Sequence, residues 1–241
     1  MSMRYRLLTL ALTLTLAACA HYDPPARSAT TSQLAEPMTQ ASQAAITPDL
    51  ALQRLKDGNE RFVSGASIVR NLQDQVAATG TGQFPYATVL SCIDSRAAPE
   101  LVFDQGIGDI FTPRVAGNFL NDDILGSMEF ASKVAGSRLI VVLGHTSCGA
   151  IKGACENVQL GYVSALVKAL QPAVMAVPDD GRERTSKNAA FVEKVAHANV
   201  EITVKDIVDR SEILRDMAAQ GQIKVVGAML DVETGKVTFL E

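Results

Sequence analysis

Residues 87–96 read ATVLSCIDSR. The run over 86–92 has the apolar continuity of a buried strand, and it delivers a thiol at Cys92, a carboxylate at Asp94 and a guanidinium at Arg96. Charges at the end of a core strand are costly unless each has a partner. Working outward, residues 138–148, RLIVVLGHTSC, repeat the pattern. A second apolar run over 138–144 ends in His145, with Cys148 three positions on. Two strand ends therefore carry unusual chemistry.

The remaining chain alternates. Strands are expected over 109–115 and 223–231, with helices over 72–79, 122–135, 149–156, 160–177 and a long stretch near 187–219. Thr47-Pro48-Asp49 opens a first helix with a hydroxyl cap, a proline and an acid. A last strand over 236–240 follows the turn Glu233-Thr234-Gly235 and should pair antiparallel. The fold class read from this order is α/β, a central, mainly parallel sheet with helices on both faces and an antiparallel edge strand. Ligands bind such sheets outside the carboxyl ends of the strands, where Cys92, His145 and Cys148 would converge.

The 241 residues are 47% hydrophobic and 20% charged, enough for one sizeable core over 47–241. A net charge of −4, with no basic cluster, argues against a nucleic-acid partner. Residues 1–18 differ from the rest. Arg4 and Arg6 precede the apolar stretch LLTLALTLTLAA, which has the length of a secretory signal rather than a membrane span. Leu16-Ala17-Ala18-Cys19 resembles a bacterial lipobox, so lipidation is expected at Cys19, with a membrane contact through that lipid only. The implied location is the periplasm-facing cell envelope, and Ala20 in place of an aspartate favours the outer membrane. Residues 19–46, rich in Ser, Thr, Ala, Gln and Pro, read as a flexible tether.

Two thiols and an imidazole form a zinc set that leaves a fourth position open. Spacing alone leaves other readings: buried core cysteines, a Cys92–Cys148 disulfide in an oxidising compartment, or a closed site with Cys155 as a fourth ligand. In an open set the fourth position would hold water, whose pKa zinc brings to about 7. Asp94 could then orient that water, with Arg96 keeping the carboxylate ionised. Cys148 would open a helix, whose N-terminus favours a thiolate. His197, in the long late helix, reads as a structural or surface residue.

The full motifs resemble the β-class carbonic anhydrases. They are Cys92-Ile93-Asp94-Ser95-Arg96 and Gly144-His145-Thr146-Ser147-Cys148-Gly149, joined by Gly58-Asn59-Glu60-Arg61-Phe62, Gly82-Gln83-Phe84-Pro85, Gly108-Asp109-Ile110-Phe111 and Arg114-Val115-Ala116-Gly117-Asn118. The resemblance implies one zinc ion per chain on Cys92, His145 and Cys148, and reversible hydration of carbon dioxide to bicarbonate and a proton by zinc-bound hydroxide. It implies Asp94 and Arg96 as a catalytic dyad, and Gln83, Phe111, Val115 and Gly149 around the substrate. It also implies a homodimer or homotetramer. One subgroup closes by placing Asp94 on the metal, with bicarbonate held by a tryptophan, an arginine and a tyrosine. Here Arg114 matches the arginine, but Val89 and Leu230 stand at the other two positions, and the chain has no tryptophan. Together with Gln83 this implies the plant-like, open subgroup. Phe130 stands where the family often has a tyrosine. A zinc hydrolase of a carbon dioxide analogue such as carbon disulfide, or a non-catalytic zinc lipoprotein, are the alternatives on this fold.

Overall fold

The computed structural model describes residues 34–240. The lipobox cysteine Cys19 and the leader lie outside the described residues. A five-stranded sheet runs in the order β2-β1-β3-β4-β5, from β1 (Ala87–Ser91), β2 (Ile110–Phe111), β3 (Leu139–His145), β4 (Lys224–Leu230) and β5 (Val237–Phe239). The first four are mutually parallel and β5 pairs antiparallel with β4.

Helices cover both faces, which explains the unbroken apolar runs. Side chains alternate between two cores with the strand period of two. Leu90, Ile140 and Val142 join one core, with the helices Gly149–Cys155 (α6), Val163–Ala176 (α7) and Ala189–Arg210 (α8). Val89, Leu139, Val141 and Leu143 join the other, under the helix Pro48–Val63 (α2). That helix starts as its sequence indicates, with the Thr47 hydroxyl accepting from the Leu50 amide. The helix α8 lies so near the sheet that a Cβ on Gly144 would come within 2.6 Å of Val200 Cγ2. Only glycine lets β3 pass there.

Several expectations need correction. The tether reading fails for its last part. Residues Gln40–Ala44 form a helix (α1) capped by Thr39, and Met38, Gln43 and Ile46 are buried. The Gln43 side-chain amide donates to the Pro85 and Ala135 carbonyls, each at 2.8 Å, so the folded body begins before Thr47. The strand expected over 109–115 shrinks to Ile110–Phe111, with one further bridge between Ser91 and Arg114. Pro113 lacks an amide to extend the ladder, although its carbonyl accepts from Ser91. The long helix expected over 187–219 breaks at Ser211, which ends α8 and caps the helix Glu212–Ala219 (α9) by accepting from the Leu214 amide. Leu72–Thr79 (α3) forms as expected, and the short helix Pro99–Val102 (α4) was not legible. Asp122–Glu129 (α5) runs on into a π-turn over Phe130–Val134. No helix among the described residues is long and apolar enough to cross a membrane.

Candidate metal centre

The chain leaves β1 toward β2 on one side and later returns to lay β3 on the other. The switch in strand order therefore falls at the carboxyl end of β1, where open α/β sheets form their crevices. The parallel register pairs Ser91 with Leu143. Cys92 consequently emerges beside Gly144, one residue before His145. Ser147 then turns the chain back with a left-handed φ of 54°, and Cys148 caps α6. The donor atoms of Cys92, His145 and Cys148 all lie within 4.8 Å of one another, and all three residues are buried.

The imidazole is preset. Its Nδ1 lies 2.9 Å from the Thr146 carbonyl, which fixes Nδ1–H as donor and leaves the Nε2 lone pair free. That Nε2 is buried with no hydrogen-bond partner. A buried orphan nitrogen facing two sulfurs is what a metal-ligand set requires, and soft sulfur with imidazole fits zinc.

The two thiols behave as a pair. The Cys148 thiol beside it, with His145 and the Gly117 amide, holds Cys92 well below the usual thiol range against the cost of burial. Beside that charge, Cys148 is pushed up, with burial adding to the effect, although the Ala150 and Ile151 amides of α6 favour its thiolate. A cation between the sulfurs would replace the shared proton and remove this opposition. Burial pulls the His145 pKa down, but Cys92, the Thr146 carbonyl and Asp94 together raise it.

Asp94 borders the trio, its Oδ2 at 3.9 Å from His145 Nε2. Arg96 holds it by a fork: Nε donates to Oδ1 at 2.9 Å and a terminal nitrogen donates to Oδ2 at 2.8 Å. The Arg96 amide adds a third donor to Oδ1 at 3.0 Å. The Arg96 guanidinium keeps the Asp94 carboxyl well below the usual carboxylate range. The two charges that made ATVLSCIDSR puzzling thus partner each other, and the pair is partly open to solvent.

Among the other expected residues, Phe111 ends β2 and meets Phe130 edge-on, ring centroids 6.4 Å apart. Val115 packs against the core that contains Cys92 and Cys148. Gly149 opens α6. Gln83 is exposed on the loop before β1. Cys155 is half-buried and lies outside the trio. Cys92 and Cys148 are both free thiols, which removes the disulfide reading. Arg114 does not point to an anion pocket. Its Nε donates to the Cys92 carbonyl at 2.9 Å and a terminal nitrogen donates to the Asp94 carbonyl at 2.7 Å. Sequence reasoning missed this bracing of the Cys92–Asp94 turn, because backbone acceptors leave no side-chain signal.

Fold and site together define an α/β protein with a Cys–His–Cys group able to hold a metal ion at adjoining strand ends. A family model described as carbonic anhydrase matches residues 87–237. Carbonic anhydrase 2 of Mycobacterium tuberculosis is 36% identical over 195 residues, spanning 78% of this chain and 91% of that protein. The β-carbonic anhydrase CcaA has the same fold, with a TM-score of 0.64 at 24% identity over 79% of this chain and 95% of that one. A tetrameric β-carbonic anhydrase from Sordaria macrospora gives 0.58 at 21% identity over 70% and 90%. The chain belongs to the carbonic anhydrase family.

Proposed function

We propose that this enzyme catalyses the reversible hydration of carbon dioxide to bicarbonate and a proton, with one zinc ion held by Cys92, His145 and Cys148. The observation that carries the reading is the buried, unpartnered His145 Nε2 facing two thiols, with an ionised carboxylate 3.9 Å away. The ion would supply a Lewis acid that makes a water nucleophilic near neutral pH. Asp94 would accept a hydrogen bond from such a water and so orient it toward the carbon of carbon dioxide. Arg96 fixes the carboxylate plane and keeps Asp94 ionised through its fork. The apolar side chains of Phe111 and Val115 favour a small apolar substrate over bulk water. Gly149, without a side chain, leaves room beside Cys148. Stopped-flow hydration of carbon dioxide on zinc-loaded protein, with zinc content measured on the same sample, tests the proposal. Stoichiometric zinc without hydration would refute it.

The open-site form is part of the proposal. Asp94 is engaged by Arg96, and two of the Arg114 N–H donors, Nε and one terminal nitrogen, are directed at backbone carbonyls. Leu230 is buried. Gln83 would reach substrate from the exposed loop in an assembled oligomer. A homodimer or homotetramer is supported by exposed large apolar side chains, among them Ile93, Leu101, Phe130 and Val134. Anchoring to the cell envelope through a lipid on Cys19, with the outer membrane favoured, rests on the leader sequence.

A further inference from the structure

Asn199 is the odd residue of α8. It is 4% exposed, flanked on the buried face by Val195, Ala196, Val200 and Thr203. Asparagine is a poor helix former, and a buried amide is costly without a partner. Its partner is far along the chain. The Asn199 side-chain amide donates to the Gly117 carbonyl at 2.8 Å, a fully buried bond.

Gly117 belongs to a turn over Val115–Asn118, closed by the Asn118 amide donating to the Val115 carbonyl at 2.9 Å. Glycine at the third position, with φ of 84°, is the signature of a type II turn. In that form the Gly117 amide points at the Cys92 sulfur, 3.3 Å away. Glycine also tolerates the alternative turn with its central peptide flipped. The flip would take this amide off the sulfur. The bond from the Asn118 amide to the Val115 carbonyl is common to both forms and does not choose between them; the tie from Asn199 to the Gly117 carbonyl instead fixes where the turn, and with it the Gly117 amide, sits against the sulfur.

We propose that Asn199 is a positioning residue of the metal centre: by anchoring the Gly117 carbonyl it keeps the Gly117 amide on the Cys92 sulfur. An N–H on a ligating thiolate draws charge from the sulfur, so less is donated to the metal. Asn199 thus sets the electrophilicity of the centre without touching any ligand. This rests on the proposed metal role of Cys92.

The test uses full-length protein loaded with cobalt(II), whose thiolate ligands give a sulfur-to-cobalt charge-transfer band. Asn199→Ala and Asn199→Leu both remove the donor. In both, the band is expected to move to longer wavelength, and the hydration rate of the zinc protein to fall by about 10-fold. Thr203→Val, one turn along α8, controls for mere loss of packing and should move neither. A wild-type cobalt protein with no such band would overturn the metal reading and this proposal with it. A wild-type band that stays in place in both Asn199 variants would overturn this proposal alone, whatever their activity or melting temperature. Wild-type protein loaded with cadmium-113 gives a check independent of how the variants fold. A coupling across the N–H···S bond to the Gly117 amide proton is expected, and its absence would overturn the proposal.

Discussion

Replacing Asp94 by asparagine separates holding the site from running it. The carboxylate takes three donors. Two of them, the Arg96 amide and Nε, fall on Oδ1, and a terminal guanidinium nitrogen falls on Oδ2. An asparagine placing its oxygen at Oδ1 keeps the first two bonds. Its NH2 then faces the third donor, so one contact is lost and the local turn survives. Zinc content should be unchanged, because Cys92, His145 and Cys148 are untouched. The amide presents N–H rather than a lone pair where the attacking water must be oriented. The loss in hydration rate should therefore be that of a missing general base or orienting group, on the order of 10²-fold or more. Stopped-flow hydration and zinc content on the same preparation read the two effects apart. Hydration at the wild-type rate with full zinc would refute the role given to Asp94. Loss of zinc would instead show that the carboxylate holds the metal. The pH dependence has a definite sign. The Asp94 pKa is lowered in the fold, chiefly by the Arg96 hydrogen bond. Its ionised form contributes stability above the unfolded value of about 3.9, and that contribution fades as pH falls below it. Wild-type activity should accordingly show no carboxylate limb at pH 5 and above.

Cys148→Ser should lose both zinc and activity, whereas Cys155→Ser should keep both by metal analysis and rate, since Cys155 lies outside the trio. Gln43→Ala should leave zinc in place but destabilise the fold by about 1–3 kcal/mol in urea titration, because two carbonyls, of Pro85 and Ala135, lose their shared donor; an unchanged midpoint would mean that these two bonds do not hold the segment to the body. Cys19→Ser should release the enzyme from the membrane fraction while the domain stays active, and an unlipidated wild-type mass would end the anchoring proposal. Bicarbonate titration of the hydration rate near pH 8 should give no cooperative inhibition. A sigmoidal curve with Asp94 on the metal in a crystal at that pH would show that Arg114 is free to bind an anion after all.

The chain announces much of this by itself. Strands β1 and β3 are buried on both faces throughout, and β4 over 227–230, so each reads as an apolar run whatever surrounds it. Thr47-Pro48-Asp49 starts α2 through bonds within one turn. Cys92, His145 and Cys148 were legible as groups at the carboxyl ends of two parallel strands, which alternation implies, and as a ligand set through the family motifs; that β1 and β3 lie side by side was decided by the strand order. Other features depended on partners distant in sequence. Residues 38–46 carry too few apolar side chains to predict a packed segment, and Gln43 finds its acceptors 42 and 92 positions away. The break at Ser211 is held partly by a bond from its hydroxyl to Glu129, 82 positions back. Arg114 matches a bicarbonate-binding residue in the pattern, yet the carbonyls that occupy it belong to the Cys92–Asp94 turn. Asn199 looks like an ordinary helix residue until Gly117 lies against it. Periodicity and capping act within a few residues and can be read locally, but the partner of a buried polar group exists only after the chain has brought two distant segments together.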